Sequence, residues 1–384
     1  MIPISATPDT DSTDSADPAF VLARPYRTVV AGRGGRVFRS AHDAVSALRA
    51  GEVGHIVGAL PFAPDAPAAL WAPDSITVTE SGYVPDAGSR PVFDFAAAVP
   101  EPDTHVRRVA AAVRLLADET HPIRKVVLAR SIRARAAFAT RAVEILDRLV
   151  STDPMGNGFL VDLSAAGAPY TGRHLVGSSP EILLRRDGAE VLSHPLAGSA
   201  RRILDDERAD RVVAETLLGS SKDQHEHRYV VDQVSGVLRD RCAEVVAPAP
   251  ELTSTPEMWH LGTPITATVR ADGPSALELA AALHPTPAIC GTPTAEAARL
   301  IAELEGDRGF YAGAVGWCDA AGNGEWMVSI RCAELAADGL SLLAHAGGGI
   351  VAESDPVAEL AETTGKFQRI LAPLGIADLP VTVA

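Results

Sequence analysis

A chain of 384 residues with 47% hydrophobic content can bury a substantial core, in one large domain or two. Its formal net charge of −15 argues against a nucleic acid or an anionic membrane as main partner, because a phosphate-rich surface is repelled at long range; an anionic small substrate would need local cations. The four cysteines, Cys242, Cys290, Cys318 and Cys332, form no CxxC pair and suggest neither a zinc site nor a disulfide framework, and no apolar run reaches the roughly 18 residues that span a bilayer. With no basic, hydrophobic leader at the N-terminus, the chain reads as cytoplasmic, with reduced thiols.

Residues 1–18 are rich in Ser, Thr, Asp and Pro and are expected to be disordered, whereas residues 19–384 contain no linker-like stretch and are expected to form one domain. Short apolar runs at 28–31, 55–59 and 76–79, punctuated by Gly and Pro, predict strands and turns. Helical spacing predicts helices over 104–117 and 140–150, each opened by a threonine able to cap a first turn, around a strand at 125–132. Further helices are predicted at 205–218, 223–241, 275–283, 294–304 and 358–371, and strands at 158–163, 181–186, 313–318, 326–332 and 341–345. Strands that come in runs separated by turns favour α+β architecture with antiparallel sheets over a doubly wound parallel sheet.

Several charged residues stand out against this pattern. Glu226 heads the apolar stripe Val230, Val234, Val237 and Leu238, where a buried carboxylate would need a cation partner; the plain alternative is a helix end emerging into solvent. On the last predicted helix Glu359, Glu362 and Lys366 share a face, which an exposed i,i+4 ion pair would also explain. The preceding His345-Ala-Gly-Gly-Gly-Ile-Val351 reads as a strand entering a glycine turn, whose N–H groups could face an anion. Lys125 and Glu181 are lone charges in apolar or turn contexts, suited to a base and acid pair or simply to strand ends in water. Arg331, flanked by strand residues, would pair with a structural carboxylate or fork onto a substrate one.

Taken together, the blocks Lys-Val-Val-Leu-Ala-Arg130, Ser-Pro-Glu-Ile-Leu183, His-Pro-Leu-Ala-Gly-Ser199, Lys-Asp-Gln-His-Glu-His227, His-Pro-Thr-Pro-Ala288, Gly-Asn-Gly-Glu-Trp326, Ile-Arg-Cys332 and Glu-Thr-Thr-Gly-Lys366 resemble the chorismate-utilising enzymes. The likeness runs from about residue 105 to the C-terminus and, through Trp-His-Leu261, Gly-Trp-Cys318 and Gly-Asn-Gly-Glu-Trp326, leans toward the isochorismate synthases of siderophore pathways. It implies two large antiparallel sheets packed together with helices outside, and an active site using Mg²⁺. By this resemblance Glu226 and Glu362, with Glu359 nearby, look like the metal carboxylates, a set that magnesium would complete with a substrate carboxylate and water. Arg331 and the loop Gly347, Gly348, Gly349 look like holders of the carboxylates of chorismate, with Ala197, Gly198, Ser199 and Lys366 also at the substrate, and His284 looks like a histidine near its ring. The loop reads Gly-Gly-Gly where the family more often has Gly-Ala-Gly.

In this family the ring loses its 4-hydroxyl while a nucleophile adds at carbon 2. Lys125 resembles the lysine of the water-using members, able to deprotonate water if desolvation and nearby positive charge lower its pKa. Glu181 would protonate the departing hydroxyl and therefore needs a raised pKa. Ala197 stands where aminodeoxychorismate synthases carry a nucleophilic lysine, and no amidotransferase partner is expected, so isochorismate is the expected product. Salicylate synthase is the alternative enzyme and an inactive chorismate-binding subunit the alternative class. A monomer is expected.

Overall fold

The computed structural model describes residues 17–255 and 258–379, so the expected disorder of residues 1–18 falls almost wholly outside the described residues. The strand Phe20–Arg24 shows how the core is built, because all five residues are buried and alternate side chains serve two cores. Phe20 and Leu22 join the larger core with Ile56, Trp317 and Trp326; Val21 and Ala23 join a second core with Ile145, Leu149, Phe367 and Ile370. Phe20 meets Trp71 edge to face at 6.3 Å, one of the contacts that press the two large sheets together.

These sheets have ten and nine strands, and the strand pairs are antiparallel throughout both. Helices Ala41–Arg49, Ser221–Arg239 and Ala276–Leu283 pack on the nine-stranded sheet, and Pro102–Leu116, Ala142–Thr152, Thr294–Glu305 and Pro356–Leu371 on the ten-stranded one. The architecture is the expected α+β arrangement of two packed sheets with helices outside. A third, three-stranded sheet of Leu196–Arg201, Glu251–Ser254 and Met258–Gly262 was not foreseen, because its short segments lack a clear apolar alternation.

Two helices carry most of the charged residues singled out above, and their starts are fixed locally. Ser220 caps Ser221–Arg239, its Oγ accepting from Asp223 N at 3.2 Å, and this places Glu226 above the buried Val230, Val234 and Leu238. Asp355 caps Pro356–Leu371 by accepting from Val357 N and Ala358 N, and Pro356 occupies the first turn where its missing N–H costs nothing.

The predicted strand at 326–332 is broken. Gly324–Val328 ends, the chain turns through Ser329 to Arg331, and Cys332–Leu335 begins in the other large sheet. Arg331 takes φ of +50°, a conformation that L-residues adopt rarely and that clusters at functional sites.

Candidate active site

A cavity of about 100 Å³ opens where the starts of Ser221–Arg239 and Pro356–Leu371 meet the end of strand Ser341–Ile350 and the strand Leu196–Arg201. Its wall holds acids (Glu181, Asp223, Glu226, Glu362), cations (Lys222, Arg331, Lys366) and the segment Ala197, Gly198 and Ser199. Seen from the sequence, these residues lie up to 185 positions apart; the fold brings them to one place.

Lys366 Nζ lies 2.6 Å from Glu362 Oε1 and donates to Gly347 O at 2.8 Å, while Ser199 Oγ donates to the same Glu362 oxygen at 2.8 Å. The i,i+4 pair therefore forms, but as part of a largely buried network and not on an exposed face. Burial alone would raise the Glu362 pKa; Lys366, Ser199 and Lys222 outweigh it and hold it below the usual carboxylate value. Glu359 is pushed the other way, to about 7, by burial and by the Glu362 charge; its Oε1 accepts from Ser354 Oγ and lies 3.7 Å from Lys222 Nζ. Glu181 is 3% exposed, and burial lifts its pKa to about 7 against the opposing backbone hydrogen bond at Leu196 and the charges of Lys125, Arg331 and Lys366.

Lys125 is fully buried, one layer behind the cavity wall, with Nζ 3.0 Å from Glu226 Oε1. The cation that Glu226 was expected to need is thus Lys125 itself. Its nearest charge is negative, where nearby positive charge was anticipated.

Three expectations for the substrate side are corrected. The glycines are not in a turn: Gly347, Gly348 and Gly349 continue strand Ser341–Ile350, in register with Ala129, Leu128 and Val127. Ala129 N and Val127 N donate to Glu305 Oε1 and Cys290 O, and Gly347 O accepts from Lys366, so Gly347 and Gly349 occupy positions whose N–H groups point away from the neighbouring strand. That edge is covered by Cys332–Leu335 only as far as Ala344, which leaves these two N–H groups facing the cavity they line. Gly348 does not line it; a Cβ there would sit 2.8 Å from Glu359 Oε2. A Cβ at Gly349 would collide with Glu226 Oε1 and come 3.0 Å from Lys125 Cε, so absence of a side chain is what admits that ion pair.

His284 does not reach the cavity either. It ends helix Ala276–Leu283, and its Nε2 donates to Pro61 O at 2.9 Å, while burial lowers its pKa to about 4. The His-Pro-Thr-Pro block touches the cavity through Ala288 and Ile289 instead. The histidines on the wall are His260, from the Trp-His-Leu segment, and His345, stacked on Tyr311 at 4.8 Å. Burial, then Arg331 and Lys366, hold His260 well below its ordinary pKa and hence neutral. Sequence spacing gave no sign of which histidine would be used, and Asp223 and Lys222 were hidden inside the block that supplied Glu226.

Among the described residues, no three carboxylate, histidine or cysteine side chains are gathered tightly enough to hold a metal ion alone. The donor chemistry nonetheless fits a hard cation. Carboxylates from two helices converge, Lys222 bridges them, and the buried Glu359 Oε2 has no hydrogen-bond partner.

Residues 85–375 match the family model described as "Chorismate binding enzyme", and the chain belongs to that family. Among its relatives, the Mycobacterium tuberculosis protein named "Putative isochorismate synthase MenF" is 49% identical over 364 residues, covering 94% of this chain and 97% of the relative. The isochorismate synthase EntC of Escherichia coli is 41% identical over 330 residues, covering 84% and 81%. A crystal structure from Bacillus anthracis, of a "putative 2,3-dihydroxybenzoate-specific isochorismate synthase, DhbC", superposes with a TM-score of 0.85 at 36% identity, covering 94% of this chain and 96% of the other.

Proposed function

We propose that this protein is an isochorismate synthase that uses Mg²⁺ to convert chorismate to isochorismate. The observation that carries the reading is the pairing, at one cavity, of a buried Glu181 whose pKa lies near 7 with cations and strand-edge N–H groups suited to a dicarboxylate. Arg331, Lys366 and the N–H groups of Gly347 and Gly349 bind and orient the substrate carboxylates, with Ser199 fixing Glu362. Glu181 gives its proton to the departing 4-hydroxyl, and Lys125 takes one from the water that adds at carbon 2. For that, Lys125 must be neutral, so it must give up its ion pair with Glu226 and meet the water instead. Glu226 and Glu362, with Glu359 beside them, would hold the magnesium ion, which when bound neutralises a substrate carboxylate and stabilises charge as a Lewis acid.

The reading that competes is salicylate synthase, which shares the same acid and base and then eliminates pyruvate. Isochorismate is favoured by the names borne by the relatives and by Ser199 in the Pro-Leu-Ala-Gly-Ser199 block. Incubating purified protein with chorismate and Mg²⁺ and separating the products by chromatography tests the proposal; unconsumed chorismate would leave only a binding role. As the finer reading we place the product in siderophore synthesis, supported by the 2,3-dihydroxybenzoate-specific relative and by the likeness of Trp-His-Leu261, Gly-Trp-Cys318 and Gly-Asn-Gly-Glu-Trp326 to siderophore-pathway enzymes. Deletion of the gene should then abolish growth on scarce iron, rescued by 2,3-dihydroxybenzoate; loss of menaquinone instead would overturn this assignment.

A further inference from the structure

A second cavity, of about 130 Å³, lies on the other side of the Tyr311 and His345 wall, which it shares with the first. Arg130 forms part of its lining and is 2% exposed. Its Nε donates to Thr363 Oγ1 at 2.9 Å and its Nη2 to Thr364 Oγ1 at 2.5 Å, both neutral acceptors, and it stacks over Phe367. Nη1 has no partner, and no carboxylate pairs with this guanidinium among the described residues.

A buried cation without a counter-charge is costly, and removing one hydrogen-bond partner from such a group makes it more so. Arg108, half-buried on the same lining, has no side-chain hydrogen-bond or ion-pair partner among the described residues. Arg308 adds no net charge, since Glu305 neutralises it in a two-point pair, and Asp307 is the one other carboxylate on the lining, its Oδ1 capping Gly309 N. His105, close enough to feel Arg130 and Arg108, is held neutral by burial and by these charges, with its pKa at about 4. Two unpaired guanidiniums against one carboxylate leave a surplus of a single positive charge, which selects a monoanion over a dianion. Guanidinium groups present paired N–H donors that match the two oxygens of a carboxylate.

We propose that this second cavity binds a small monocarboxylate, held by Arg130 and Arg108 behind the Tyr311 and His345 wall of the catalytic cavity.

The test titrates sodium acetate against the full-length protein and follows Tm, with ionic strength held constant by sodium chloride. Wild-type protein should show a saturable rise in Tm. Arg108→Gln should keep the wild-type Tm without acetate and bind acetate at least tenfold more weakly, and Arg130→Lys, which keeps the charge and loses the fork, should also bind more weakly. A parallel titration with inorganic phosphate, at an alkaline pH where it is a dianion, should give the weaker response. Absence of a saturable rise would mean that the cavity holds only water. A rise unchanged in Arg108→Gln would place the anion elsewhere, including the catalytic cavity, and tighter binding of phosphate than acetate would contradict the charge assignment; each of these results overturns the proposal.

Discussion

At the scale of single residues, Glu181 makes the sharpest demand. If it is the acid, Glu181→Gln lowers kcat about 10²–10⁴-fold. In the wild type, kcat should fall as pH rises through about 7, where the carboxyl loses the proton it must donate. Stability carries the same sign. Its folded-state pKa lies above the unfolded value of roughly 4.3, so the contribution of Glu181 to stability is present below about 4 and is lost as pH climbs to about 7. Glu359, with its own raised pKa, acts in the same direction, while the buried His105, His260 and His284, whose pKa values are lowered, act in the opposite one, so Glu181→Gln should make stability rise more with pH across this window than in the wild type, as denaturant titrations at several pH values would read. A slope identical to wild type would show that Glu181 does not titrate there. For the metal, Glu226→Gln and Glu362→Gln should each abolish the Mg²⁺-induced rise in Tm as well as turnover, with the far-ultraviolet spectrum unchanged; near-normal activity at limiting Mg²⁺ in either variant would remove that residue from the site.

At the scale of elements, strand Ser341–Ile350 and helix Ser221–Arg239 depend on each other through the Lys125–Glu226 pair and the missing side chain of Gly349. Gly349→Ala inserts a methyl group where Glu226 Oε1 lies, and should lower kcat/KM at least tenfold, an effect on the order of 1.4 kcal/mol in the barrier. Unchanged kinetics would mean the pair relaxes freely. Lys125→Gln leaves Glu226 as a buried charge without its partner, and should cost about 3–5 kcal/mol of stability together with the loss of water addition. Adding Glu226→Gln should restore much of the stability, which isolates the structural part of Lys125. The helix carrying Glu226 was legible from the spacing of Val230, Val234 and Leu238, and so was its need for a cation, but not which cation. That identity depends on register between strands far apart in sequence, which no local pattern encodes. The glycine run shows the same limit from the other side. Three glycines locally read as a turn, whereas here they are small because carboxylates and Tyr311 Oη crowd the strand's face.

At the scale of the molecule, strands in runs separated by turns were enough to point to α+β architecture with antiparallel sheets, whereas two large packed sheets with helices outside followed from the family resemblance. The smaller sheet left no such sign, and it is this sheet that brings Ala197, Ser199 and His260 to the cavity. His284 was assigned through the resemblance of its block, and what that block does not encode is the packing that ends helix Ala276–Leu283 with His284 Nε2 on Pro61 O. The account as a whole rests on the fate of the enolpyruvyl group after hydroxyl transfer, where about 1.4 kcal/mol between competing barriers changes the product ratio tenfold. Coupling chorismate turnover at neutral pH to lactate dehydrogenase and NADH reads that choice directly. Isochorismate as product predicts little NADH oxidation until an isochorismatase is added and then stoichiometric oxidation; stoichiometric pyruvate without it, together with salicylate fluorescence, would contradict the account.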